Sequence, residues 1–135
     1  MSQEADVRPV VLIVEDEPMI AISLERMLKE AGYEVVGTAP SVAKAMHLMP
    51  HVDFDGALLD INLRGEKVYP VADHLLALNI PYVFVTGHSA NAVPPAHRGA
   101  RVVTKPYLES ELLETIRATV DQARRSNPGD RRSDL

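Results

Sequence analysis

Five side chains in this sequence stand where an apolar run breaks off into a polar loop. Glu15 and Asp16 follow Val10-Val11-Leu12-Ile13-Val14, Asp60 follows Ala57-Leu58-Leu59, Thr86 follows Tyr82-Val83-Phe84-Val85, and Lys105 follows Arg101-Val102-Val103-Thr104. Short apolar runs bounded by turn residues read as buried strands. If these strands are adjacent and parallel, the five side chains meet at the carboxyl edge of one sheet, where open α/β sheets place their ligands. Three carboxylates crowded together repel, and a divalent cation relieves that repulsion. Hard oxygen ligands favour Mg2+, which takes one or two carboxylates and leaves positions open for water or phosphate oxygens. A lysine and a hydroxyl converging on the same point suit a phosphoryl group. The remaining carboxylate is then a nucleophile that forms an aspartyl-phosphate. Such a transfer depends mainly on positioning and charge stabilisation.

The elements that must hold these residues alternate in kind. After the first strand, Pro18 suits the first turn of a helix whose Ile20, Leu24, Met27, Leu28 and Ala31 recur at helical spacing, with Gly32 ending it. Tyr33 to Thr38 reads as a more polar edge strand, and Ser41 caps a second helix with the stripe Val42, Ala45, Met46 and Met49 before Pro50. Met19, Met27, Met46 and Met49 are read as core filler. Beyond Asp60 and the loop Asn62-Leu63-Arg64-Gly65-Glu66, a third stripe runs Val68, Val71, Ala72, Leu75 and Leu76, with Pro70 in its first turn. Leu112, Leu113, Ile116 and Val120 make the last helix. Residues 88–99 should hold the remaining crossover helix, yet Pro94-Pro95 leaves room for at most one turn before Pro94. Strands alternating with helices over short links predict a parallel sheet covered on both faces: an α/β, doubly wound, flavodoxin-like fold with an irregular or shortened fourth helix.

The 135 residues predict one domain with a real core. A net charge of −5 argues against nucleic acid as a partner, because phosphate binding needs a concentrated basic face. The chain has no cysteine, which excludes disulfides, thiolate nucleophiles and zinc–thiolate sites. No apolar stretch reaches membrane-spanning length and the N-terminus lacks the form of a signal peptide, so a cytoplasmic protein with no membrane partner is expected. The five histidines, at 47, 51, 74, 88 and 97, show no metal-ligand spacing and are expected at the surface or facing a partner. His88, two residues after Thr86, could border the phosphoryl group and change its lifetime.

Four segments together carry a family resemblance: Leu12-Ile13-Val14-Glu15-Asp16-Glu17, Leu58-Leu59-Asp60-Ile61-Asn62-Leu63, Val85-Thr86-Gly87 and Thr104-Lys105-Pro106. In order and approximate spacing they resemble the receiver domain of two-component response regulators. The likeness covers roughly residues 8–124, with 1–7 and 125–135 expected to be flexible termini. It implies a five-stranded sheet of order 2-1-3-4-5 and Asp60 as phosphoacceptor. It further implies Mg2+ held by Glu15, Asp16, Asp60 and the backbone carbonyl of Asn62. Thr86 would bond the phosphoryl group, Lys105 would pair with it, and the peptide before Pro106 would be cis. The implied phosphodonor is a histidine kinase or a histidine-phosphotransfer protein. Two features depart from the common pattern. Val102 stands three residues before the lysine, where receivers usually carry an aromatic switch residue, and the segment after Thr86 is broken by prolines. With Phe84-Val85-Thr86-Gly87, these features are similar to a subgroup whose strand-four loop reads Phe-Ala-Thr-Gly, typically associated with general stress or atypical histidine kinases of α-proteobacteria.

The expectation is a stand-alone response regulator, since residues 125–135 are too few for an output domain. It would be a phosphoacceptor without turnover of an external substrate, signalling by protein contact or phosphate relay to an unknown downstream protein. With no aromatic switch, phosphorylation is expected to order residues 87–98. The rival reading is a degenerate receiver acting as a phosphorylation-independent scaffold. A phosphatase is disfavoured because Glu15-Asp16-Glu17 is not an Asp-x-Asp nucleophile, and no Gly-rich loop supports a nucleotide fold.

Overall fold

The computed structural model describes residues 8–87, 93–121 and 123. The expected flexible termini, 1–7 and 125–135, lie outside the described residues, as do His88 and the rest of 88–92, and with them much of the segment expected to become ordered.

Strand β1 (Val10–Val14) is buried at every position, as its β-branched composition requires of a strand covered on both faces. Helix α1 (Pro18–Glu30) follows with proline in its first turn. It ends where Gly32 adopts φ 98°, the Gly32 N–H reaches the Lys29 carbonyl at 3.2 Å and the Tyr33 N–H reaches that of Leu28 at 3.0 Å. That pair of bonds closes a Schellman motif, for which the left-handed glycine is required. Strand β2 (Glu34–Ala39) and helix α2 (Val42–Leu48) come next, with the Lys44 N–H donating to Ser41 Oγ at 3.1 Å as the expected cap.

Strand β3 (Gly56–Asp60) leads into a hairpin of two short strands, β4 (Asn62–Leu63) and β5 (Glu66–Lys67), before helix α3 (Tyr69–Ala77). The hairpin is additional to the predicted elements. Strands β6 (Tyr82–Thr86) and β7 (Arg101–Thr104) and helix α4 (Glu109–Ile116) complete the series, and a π-helical turn extends α4 over Arg117–Asp121.

The main sheet is parallel throughout, in the order β2-β1-β3-β6-β7, which is the predicted 2-1-3-4-5 counted over its five strands. Alternate residues point to opposite faces, so the strands build two cores. Leu12, Val14, Leu59 and Phe84 face Ala45, Val71, Ala72 and Leu75. Val11, Ile13, Leu58, Val83 and Val85 face Leu24, Leu28, Leu112, Ile116 and Val120. Gly56 lets the second layer close: a Cβ there would lie 2.6 Å from Val120 Cγ2.

Two expectations need correction. Met27 and Met49 are core residues, but Met19 and Met46 are exposed, as is Leu76 at the rim of the α3 stripe. In the fourth crossover the described residues form a 3-10 turn over Pro95–His97 with Pro95 opening it, while the turn expected before Pro94 falls on residues that lie mostly outside the described ones. His97 is not a surface residue; it is 2% exposed. A neighbourhood of aromatic side chains, described below, encloses it.

Candidate functional site

Register brings the strand ends level. Val14 pairs with Leu59, Asp60 with Val85, and Thr86 with Thr104. Each strand therefore delivers its terminal side chain to the same edge. The Glu15 N–H continues the ladder to the Ala39 carbonyl at 2.9 Å, and the Lys105 N–H bonds the Thr86 carbonyl at 2.7 Å. The peptide between Lys105 and Pro106 is cis.

The three carboxylates converge. Single oxygens of Glu15, Asp16 and Asp60 all lie within 4.8 Å of one another, with Glu15 and Asp60 buried and Asp16 partly so. Lys105 Nζ donates to Asp60 Oδ2 at 3.3 Å, and the Asn62 N–H donates to Asp60 Oδ1 at 3.2 Å, leaving that carboxylate held on both oxygens. Glu15 Oε2 accepts from the Glu17 N–H at 3.0 Å. Thr86 is buried at the end of β6, one position beyond the partner of Asp60. A cavity of about 420 Å³ opens over this group, lined among others by Asp16, Asp60, Asn62, Gly87 and Lys105. All five residues singled out by type and spacing are thus brought to one sheet edge.

The electrostatics follow from burial and crowding. Burial, and then the charge of Asp60, push the Glu15 carboxyl up to about 7, although the Glu17 N–H and Lys105 act in the opposite sense. Burial works against the Lys105 ammonium, yet the carboxylates of Asp60 and Glu15 outweigh it and hold its pKa above the ordinary value. A buried acid that resists ionisation beside two more carboxylates is a centre short of positive charge. This donor set, oxygen only and anionic, fits a hard divalent cation such as Mg2+.

Sequence reasoning missed two groups. Arg64 Nε lies 3.4 Å from Asp16 Oδ2, so a second cation reaches the acidic centre. His97 joins Tyr82 and Asp73 on the far side of the same sheet layer: Nδ1 is 2.5 Å from the Tyr82 hydroxyl and Nε2 is 2.7 Å from Asp73 Oδ1. The Tyr69 ring stacks on it at 6.1 Å and Phe84 meets it edge-on at 5.8 Å. The sequence marked a polar, glycine-containing loop after Asp60 but not that Arg64 reaches Asp16, and nothing local marked His97.

The fold and this edge define a class: a doubly wound α/β domain with an acidic, lysine-bearing cleft at the carboxyl ends of β1, β3 and β7. The chain belongs to the response regulator receiver domain family, which matches residues 11–117. It resembles the solution structure of SdrG from Sphingomonas melonis Fr1, at 41% identity and a TM-score of 0.71, covering 82% of this chain and 95% of that one. It also resembles the receiver domain of the PhyR response regulator of Erythrobacter litoralis, at 30% identity and a TM-score of 0.71, covering 88% of this chain and 92% of the other. Nodulation protein W of Bradyrhizobium diazoefficiens is 29% identical over 95% of this chain, which covers 58% of that protein. The chain spans between about two fifths and three fifths of the length of the curated relatives it matches first.

Proposed function

We propose that this receiver accepts a phosphoryl group on Asp60 from a histidine kinase or a histidine-phosphotransfer protein. It then signals through protein contact or by passing the phosphoryl group on. The working domain runs over residues 8–124. The observation that carries the reading is Asp60 itself: buried, within 4.8 Å of two further carboxylates, and held by Lys105.

The roles follow from position. An Asp60 carboxylate oxygen attacks phosphorus, the bond from phosphorus to the donor imidazole nitrogen breaks, and the electron pair leaves with that nitrogen. The product is an acyl phosphate on Asp60. Lys105, already at Asp60 Oδ2, pairs with the phosphoryl oxygens, and the Thr86 hydroxyl donates to another. Glu15, Asp16, Asp60 and the Asn62 carbonyl are the residues that would hold Mg2+. When bound, the ion neutralises charge on the phosphoryl oxygens. The protein is its own substrate, and no turnover of an external one is required.

Intact mass after incubation with Mg2+ and a small acyl phosphate, comparing wild type with Asp60→Asn, tests this. A gain of one phosphoryl group in the wild type alone is expected. If neither form gains mass, from the small donor or from a histidine kinase, the phosphoacceptor reading fails and a binding scaffold takes its place.

A further inference from the structure

The two-residue loop of the β4–β5 hairpin is Arg64-Gly65, since Leu63 pairs with Glu66. Both loop residues have positive φ, 53° at Arg64 and 87° at Gly65. Those are the signs that a type I′ turn requires, and an arginine in this region is uncommon. Side chains tie the loop to the acidic centre at two points. The Gly65 N–H donates to Asn62 Oδ1 at 3.2 Å, while the Asn62 N–H donates to Asp60 Oδ1. Arg64 reaches back from the tip to Asp16, 3.4 Å away, and lines the same cavity as Asp60 and Lys105.

We infer that Arg64 is the counter-ion of Asp16 in the metal-free protein and that Mg2+ must bind against it, so that Arg64 sets the metal affinity of the site. This rests on the phosphoacceptor reading above and deepens it. A dication on Asp16 takes up the charge that held the guanidinium and repels it across a few ångströms. Coupling of this kind is reciprocal: whatever the Arg64–Asp16 pair contributes to the metal-free protein is subtracted from Mg2+ binding. Lys105 is placed differently. Its partner is Asp60 Oδ2, and it is two-thirds buried, whereas the Arg64 side chain is 76% exposed and free to swing clear without unfolding the hairpin.

The test is Mg2+ titration by calorimetry on the full chain, with Arg64→Asn and Arg64→Lys beside the wild type. Asparagine followed by glycine is the favoured pair for a type I′ turn, so Arg64→Asn removes the charge while keeping the loop. Exposed ion pairs are weak, which sets the expected gain in Mg2+ affinity at about two- to fivefold in low salt. The gain should vanish near 1 M salt, where such a pair is screened. Arg64→Lys retains the charge and should stay near wild type. Equal affinities for Arg64→Asn and wild type in low salt, or weaker binding by Arg64→Asn, would overturn the proposal. Failure of every form to bind Mg2+ overturns the phosphoacceptor reading as well, which two superimposed binding curves do not.

Discussion

Removing the His97 imidazole should cost more stability than any substitution at the exposed rim, although His97 ends a 3-10 turn of only three residues. The side chain is 2% exposed and joins three elements: the Pro95–His97 turn, Asp73 on α3 and Tyr82 on β6. A carboxylate only accepts, so Nε2 carries a proton toward Asp73; the Tyr82 hydroxyl can serve Nδ1 in either charge state. His97→Ala deletes both bonds, strands a buried hydroxyl and opens a void beside Phe84 and Tyr69. Truncating a buried ring of this size costs about 3 kcal/mol or more, and the orphaned hydroxyl adds about 1 kcal/mol. The bond to Asp73 contributes less than its length suggests, because that carboxylate is two-thirds exposed. The expected loss is therefore about 4 kcal/mol or more by urea denaturation. Tyr82→Phe should lose about 1–2 kcal/mol. The double variant should lose less than the sum, since Tyr82→Phe removes the hydroxyl that His97→Ala strands. A His97→Ala loss below about 1 kcal/mol, the range of a surface change, would refute the argument. So would strict additivity.

The remaining predictions concern the acidic edge and the packing beneath it. Glu15 titrates near 7 in the folded chain against 4.5 for an unperturbed side chain, so between these values the native state holds more protons than the unfolded one. Its contribution to stability thus falls as pH rises through that window and levels off above it, by on the order of 2 kcal/mol. Without metal, Glu15→Gln should stabilise the protein more at pH 8 than at pH 5; an equal effect at both, read from urea midpoints, would refute the assignment. Gly56→Ala would place a Cβ 2.6 Å from Val120, and overpacking of that kind costs about 1–3 kcal/mol, measurable as a lowered Tm. Ser41→Ala removes the cap on the Lys44 N–H and should cost about 1 kcal/mol in the same assay.

Much of the candidate site was legible in the sequence because its residues occupy strand ends, and strands are what local pattern reveals best. The runs at residues 10–14, 57–59 and 82–85 are continuous and apolar, and Glu15, Asp60 and Thr86 are simply the first residues to break them. Parallel register then does the assembling, without information from the loops. Helical stripes were read with less resolution. Met46 falls within a helical repeat on α2, but that helix is seven residues long and covers the sheet with little more than Ala45, leaving Met46 at its margin. Met19, in the first turn of α1, lies off the stripe that Ala21, Leu24, Met27 and Leu28 bury, and it is 77% exposed. The β4–β5 hairpin escaped because two-residue strands have no periodicity to detect. Its tip also carries arginine where asparagine would have announced the turn.

His97 shows why the fourth crossover resists this kind of reading. A helix there would satisfy its own backbone and signal itself by period. Two prolines forbid that, and the described part of the segment is anchored by side chains instead, to partners 15 and 24 residues away in the chain. Whether a histidine is buried then depends on Tyr82 and Asp73 being in place, and no window around residue 97 contains either. The same arrangement bears on signalling. Tyr69, at the start of α3 just beyond the loop that follows Asp60, stacks on His97, and Phe84, two residues before Thr86, packs against both rings. With Val102 in the position of the usual switch aromatic, this cluster is the aromatic contact between the loop after Asp60 and the segment after Thr86 among the described residues. Ring contacts thus run without a break from the start of α3 through Phe84 to the Pro95–His97 turn, which is why the burial of His97 depends on residues so far away in the chain.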